Sequence, residues 1–277
     1  MARRSYASFG NADYGIWYRF AAVLVKPVTT ALVKPDWRGW EHLPKEGGFI
    51  TAVNHNSILD PVIYAHWQYN SGRPPRMLGK SSVFSVPFIG FMLRKTRQIP
   101  VFRESTDAAR AFRAAVDAVN DGQCVQFYPE GTLTRDPDLW PMTGKTGVAR
   151  VALMTGAPVI PVAHWGAQEI IPPYGRATPG RGRFNLFPRH KVTVAAGPAV
   201  DLSRYEGQEL TSQVLRDATE DIMQAITVVL AGIRDEEPPA ERYDMRTAAR
   251  DRATAASAEP QRAAGGKRGN GTEEAGK

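Results

Sequence analysis

Cysteine is almost missing from this 277-residue chain, with Cys124 the single example. One thiol cannot build an intramolecular disulfide framework, and a chain of this length can bury a substantial core without one. Cys124 lies in the apolar run Cys124-Val125-Gln126-Phe127, which reads as a small buried hydrophobe rather than a nucleophile. Also missing is any run of about 18 uncharged apolar residues, so a conventional spanning helix is not expected. Arg3-Arg4 opens like a twin-arginine or secretory signal, but Asn11 and Asp13 interrupt the apolar stretch and no small-residue cleavage site follows. A reducing, cytoplasmic setting is the expectation. There is no Gly-x-Ser-x-Gly turn, which disfavours a serine lipase. Gly144-Lys145-Thr146 matches the end of a nucleotide-binding loop, but Leu139 stands where its earlier glycine is required. Asp136-Pro137-Asp138 has no histidine or cysteine group at ligand spacing around it, so no metal is expected.

What is present is a basic chain, with net charge +7 and pI near 9.6. That balance suits nucleic acid, an acidic membrane surface or a phosphorylated substrate, and charge alone does not choose among them. Residues 1–36 form an expected N-terminal helical, membrane-interfacial segment. Tyr14 to Lys34 mixes aromatic, aliphatic and basic side chains, and Pro27 is expected to kink or split it, giving two short helices. A helix packed over a core would give the same pattern.

Residues 37–234 alternate strand and helix signals. Strands are expected at 48–53, 76–80, 98–102, 123–128, 159–163 and 191–195, and helices at 61–69, 107–120 and 146–155. Leu210, Val214, Ala218, Ile222, Ala225 and Val229 mark one face of a longer helix. The apolar stretch Val83–Leu93 is read as core or as the lining of an acyl chain. The fold class is therefore α/β: one domain with a mixed, mainly parallel sheet covered by helices. Residues 235–277 hold nine acidic and eight basic residues with few large apolar ones, and are expected to be a disordered tail.

The reactive centre is placed at Val53-Asn54-His55-Asn56-Ser57-Ile58-Leu59-Asp60-Pro61, between a strand and a helix with Asp60 as its N-cap. On a regular helix His55 and Asp60 would point about 140° apart. A tight turn across 56–59 would instead fold the carboxylate onto the imidazole, giving a base and its orienter. Glu130 and Gly131 follow the strand ending in Phe127-Tyr128 and project from a strand end, where α/β sheets bind ligands. Arg103 follows another strand and is the choice for a phosphate contact, because its planar fork donates paired hydrogen bonds.

Together these stretches, from about Trp37 to Pro198, resemble the glycerolipid acyltransferase family, in particular its bacterial 1-acyl-sn-glycerol-3-phosphate acyltransferases. Asn54-His55-Asn56-Ser57-Ile58-Leu59-Asp60 resembles the first motif, Ile99-Pro100-Val101-Phe102-Arg103 the second, Tyr128-Pro129-Glu130-Gly131-Thr132 the third and Val159-Ile160-Pro161-Val162 the fourth. The resemblance implies His55 as base, Asp60 as its orienter, Arg103 on the substrate phosphate, and Glu130, Gly131 and Thr132 as a glycerol phosphate turn. Lys145 resembles a lysine that follows in the family and is a candidate second phosphate contact. Where the family often continues its third motif with arginine and serine, this chain has Leu133 and Thr134 before Arg135.

The implied reaction moves an acyl group from acyl-CoA or acyl carrier protein to the sn-2 hydroxyl of lysophosphatidic acid, without a further cofactor. Another lysolipid acceptor, or a thioester hydrolase, is the alternative. The expected partners are those substrates and an anionic membrane surface on its cytoplasmic side, with no nucleic acid.

Overall fold

In a computed structural model, residues 15–101, 105–175, 184–251 and 254 are described. The elements run α1 (Gly15–Leu32), β1 (Val33–Arg38), β2 (Phe49–Val53), α2 (Asp60–Asn70), β3 (Pro75–Lys80), α3 (Pro87–Lys95), β4 (Ile99–Val101), α4 (Ser105–Asn120), β5 (Cys124–Phe127), α5 (Gly147–Thr155), β6 (Val159–Trp165), α6 (Ala167–Ile170), β7 (His190–Ala196) and α7 (Ser212–Arg234). Seven strands form one sheet in the order β1-β7-β6-β2-β5-β3-β4. β6 and β7 pair antiparallel and every other pair is parallel, as the alternation of strand and helix signals implies.

The central strand β2 is buried at every position because helices cover both faces. On one face Ile50, Ala52, Val125 and Phe127 pack with Ala115 of α4, Val148 of α5 and Ile222 and Ile226 of α7. On the other, Phe49, Val53, Ile160 and Val162 pack with Ile63, Tyr64 and Trp67 of α2. The buried stripe of α7 runs through Leu215, Ala218, Ile222, Ile226 and Leu230, with the expected Val214 and Val229 only partly buried.

Four features depart from the sequence reading. The first strand, β1, follows α1 directly and pairs with β7, so the boundary expected at residue 36 falls inside the sheet. Pro27 does not split α1. The helix is fastened on both sides of it, by Tyr18 donating to the Pro75 carbonyl and by Thr29 Oγ1 meeting His66 Nδ1 at 2.6 Å. Val83–Leu93 is not core: Val83, Val86, Phe88, Ile89 and Phe91 are exposed. Beyond α7, Tyr243 accepts from the Thr143 amide at 3.1 Å and Asp244 from the Thr143 hydroxyl at 3.1 Å, so this part of the expected tail lies against the body.

Candidate active site

The ends of β2, β5 and β6 meet at one point on the sheet. Asn54 continues β2 and its buried amide takes both backbone groups of His164 on β6: Nδ2 donates to the His164 carbonyl at 3.1 Å and Oδ1 accepts from its N–H at 2.9 Å. His55 is then held by its backbone. Its N–H donates to Glu130 Oε1 at 3.1 Å, and its carbonyl accepts from Thr134 N at 2.8 Å. Its ring stacks on Tyr128 with centroids 4.0 Å apart. One rotational freedom remains, and Asp60 removes it. His55 Nδ1 lies 2.9 Å from Asp60 Oδ2, so the turn across 56–59 does fold the carboxylate onto the imidazole.

Asp60 is not an N-cap. Leu59 holds that position and Asp60 is the first residue of α2. Its carboxylate reaches back, with Oδ2 accepting from Asn56 N and Ser57 N, each at 2.6 Å. The charge thus sits at a helix N-terminus among amide donors, where it is favoured. Asp60 is fully buried, whereas the His55 side chain stays 16% exposed and open to a substrate.

Glu130 falls beside His55, with its carboxylate turned inward. Oε1 holds His55 and Oε2 accepts from Met142 N at 3.0 Å. Burial pushes its pKa up to about 8, outweighing those two donors. Both oxygens are committed within the protein, so the structure gives Glu130 the task of fixing His55.

Gly131 has φ +69, and a Cβ there would lie 2.8 Å from Lys145 Nζ, so the lysine amine rests directly over the glycine. The Thr132 hydroxyl pairs with Tyr174 Oη at 2.7 Å, and Tyr174 donates to the Leu133 carbonyl at 2.9 Å. The Arg135 guanidinium lies 4.2 Å over the Tyr174 ring. Gly131, Thr132, Lys145 and Arg135 therefore share the turn that grips His55. Arg103 lies outside the described residues.

Two side chains of the site escape the sequence reading. Tyr128 supplies the face on which His55 stacks. His164 is placed under Asp60 because β6 continues to Trp165, past the expected end at 163. Counting the alternation on from Ile160 and Val162, which face α2, would have put His164 on the same face. Burial pushes the Cys124 thiol up to about 12, in keeping with an unreactive core residue. Among the described residues no group of three His, Cys, Asp or Glu side chains is arranged to hold a metal ion.

Residues 34–165 match the family model described as "Acyltransferase". Over these residues the chain is similar to acyltransferases. The matched stretch runs through the sheet from β1 to β6 and includes His55, Asp60, Glu130 and Lys145. A 1-acyl-sn-glycerol-3-phosphate acyltransferase from Borreliella burgdorferi is 28% identical over 190 residues, covering 65% of this chain and 67% of that protein. The chloroplastic enzyme of the same name from Brassica napus is 30% identical over 141 residues, 50% of this chain, and the match spans only 39% of that longer protein. The crystal structure of the 1-acyl-sn-glycerophosphate acyltransferase from Thermotoga maritima shares the fold, with a TM-score of 0.58 over 80% of this chain and 81% of that one, at 23% identity.

Proposed function

We propose that the protein moves a fatty acyl group from acyl-CoA or acyl carrier protein to the sn-2 hydroxyl of 1-acyl-glycerol-3-phosphate, giving phosphatidic acid. The carrying observation is the His55–Asp60 pair at 2.9 Å, with the carboxylate buried and the imidazole partly open. With Nδ1 committed to Asp60, Nε2 of a neutral His55 takes the hydroxyl proton as the oxygen attacks the thioester carbonyl. The tetrahedral intermediate collapses with cleavage of the C–S bond, and the imidazolium returns the proton to the departing thiolate. The acceptor is itself the nucleophile, so no acyl-enzyme forms.

Lys145 over Gly131, with Arg103 and Arg135, supplies cations for the acceptor phosphate. Thr132 adds a hydroxyl beside them. Burial, by raising the Glu130 pKa to about 8, favours its neutral form and so disfavours a second negative charge near Asp60. No cofactor takes part.

The protein acts peripherally, on the cytoplasmic face of an anionic membrane, and its exposed apolar side chains support the peripheral part of this reading. Ile16, Phe20 and Val23 of α1 and Phe88 and Ile89 of α3 are exposed, and the two helices meet where Trp17 packs edge-on to Phe91 at 5.2 Å. Arg19, Lys26 and Lys95 lie among them. No helix among the described residues is long and apolar enough to cross a membrane. Ile58, three residues from His55, is also exposed.

His55→Ala tests the reading. Product formation should fall by about 10² to 10⁴ or more while the circular dichroism spectrum is unchanged. Near-normal transfer by that variant would remove His55 from the mechanism.

A further inference from the structure

The two oxygens of Asp60 are treated very unequally. Oδ2 takes three donors, from His55 Nδ1, Asn56 N and Ser57 N. Oδ1 has no hydrogen-bond partner among the described residues, although the side chain is fully buried. A bare carboxylate oxygen in that setting is costly unless a donor faces it.

One group does face it. His164 Nδ1 lies 3.4 Å from Asp60 Oδ1, and the His164 side chain is 1% exposed with neither ring nitrogen otherwise engaged. A separation of 3.4 Å leaves no room for a bridging water, so the two groups meet directly. The backbone of His164 is pinned on both sides by the Asn54 amide, which fixes where the ring stands relative to the base. Asn54 and His55 are adjacent, so one stretch of chain sets both histidines.

We propose that His164 is a second positioning residue of the acyl-transfer site, a neutral imidazole whose Nδ1–H is directed at Asp60 Oδ1 and holds the lobe of the carboxylate that His55 does not. The reverse tautomer would set two lone pairs against each other in a dry site. Asp60 is thereby gripped from both sides, and its plane cannot turn when charge develops on His55. The role requires His164 to stay uncharged. Its burial opposes protonation, while Asp60 on α2 favours it and His55 disfavours it; Glu130 and Tyr128, beyond His55, are the other titratable groups on this side of the site.

The kinetic part rests on the acyltransferase reading, so the test has an arm that does not. In protein labelled with ¹⁵N-histidine, NMR should show His164 protonated at Nδ1 and bare at Nε2 at neutral pH, with any titration displaced below that of an unperturbed histidine. A proton on Nε2 with Nδ1 bare would overturn the proposal whatever the enzyme does.

In the kinetic arm, His164→Leu should lower kcat by about tenfold or more, the equivalent of one hydrogen bond to a charged group, with acceptor KM little changed. His164→Asn, whose amide nitrogen stands near the place of Nδ1, should recover most of kcat. A fully active Leu variant, or an Asn variant as slow as the Leu one, would overturn the positioning role. If the Leu variant fails to fold, the tautomer and the Asn variant decide. Absence of acyl transfer in the wild type would count against the reaction and leave the tautomer measurement standing.

Discussion

In the proposed mechanism Asp60 acts on His55 through geometry as much as through charge, so replacing it should hurt even where the size is kept. Asp60→Asn can keep an oxygen for the three donors on Oδ2, but it removes the charge beside the imidazole and sets an amide NH2 in place of Oδ1, facing His164. A loss of about 10² or more in kcat is expected; a variant within about threefold of wild type would contradict the orienting role. Gly131→Ala forces a side chain onto a backbone at φ +69 and into Lys145. It should raise acceptor KM more than it lowers kcat.

Glu130 offers a pH signature. Its carboxyl has a raised pKa, so the native state binds this proton more tightly than the unfolded state. Its contribution to stability is full below the ordinary value of 4.5 and is lost as pH rises from there to about 8. Thermal midpoints should therefore fall more steeply from pH 5 to 8 in wild type than in Glu130→Gln, and parallel curves would count against a raised carboxyl. At this scale the sequence reading paired His55 with Asp60, as the 2.9 Å contact has it, because five residues and a turn join them. It could not show that the Glu130 carboxyl turns inward onto His55 and Met142, because an inward-turned carboxylate looks the same on paper as an outward one. His164 went unseen because β6 was expected to end at Ala163, one residue short of it.

At the scale of elements, strands and helices that alternate around the central sheet were legible from periodicity, to within a few residues at each end. What periodicity could not separate was an apolar helix that faces the core from one that faces outward. Val83–Leu93 has the composition of core, yet α3 displays Phe88 and Ile89 to the exterior, beside the apolar face of α1. β1 was hidden because Pro35, Asp36 and Arg38 break any strand pattern, and an edge position tolerates them. Pro27 misled for a related reason, since tertiary contacts on both sides of it outweigh its local preference.

The outward faces of α1 and α3 carry a prediction. Phe20→Glu with Phe88→Glu should weaken binding to anionic vesicles by tenfold or more, given about 1.5–3 kcal/mol for each apolar side chain withdrawn from a nonpolar setting. Unchanged sedimentation with vesicles would remove these helices from the interface. Ile226→Ala in α7, in contrast, should cost about 2–5 kcal/mol in chemical denaturation, because it empties space beneath the sheet.

At the scale of the whole molecule, the parallel strands β2 and β5 deliver His55 and Glu130 to one end of the sheet, and β6 brings His164 to the same place. The helix that follows β2 adds Asp60. The C-terminal segment then braces the far side of the site: Tyr243 and Asp244 hold Thr143, next to the Met142 amide that holds Glu130. In the proposed reaction the net charge of +7 would attract a phosphorylated acceptor and an anionic surface. The decisive measurement follows the acyl group by product mass. Purified protein is given a long-chain acyl-CoA with and without 1-acyl-glycerol-3-phosphate. Phosphatidic acid that appears only with the acceptor, in step with thiol release and absent in His55→Ala, is the predicted result. Thiol and free fatty acid released at the same rate without any acceptor would contradict it.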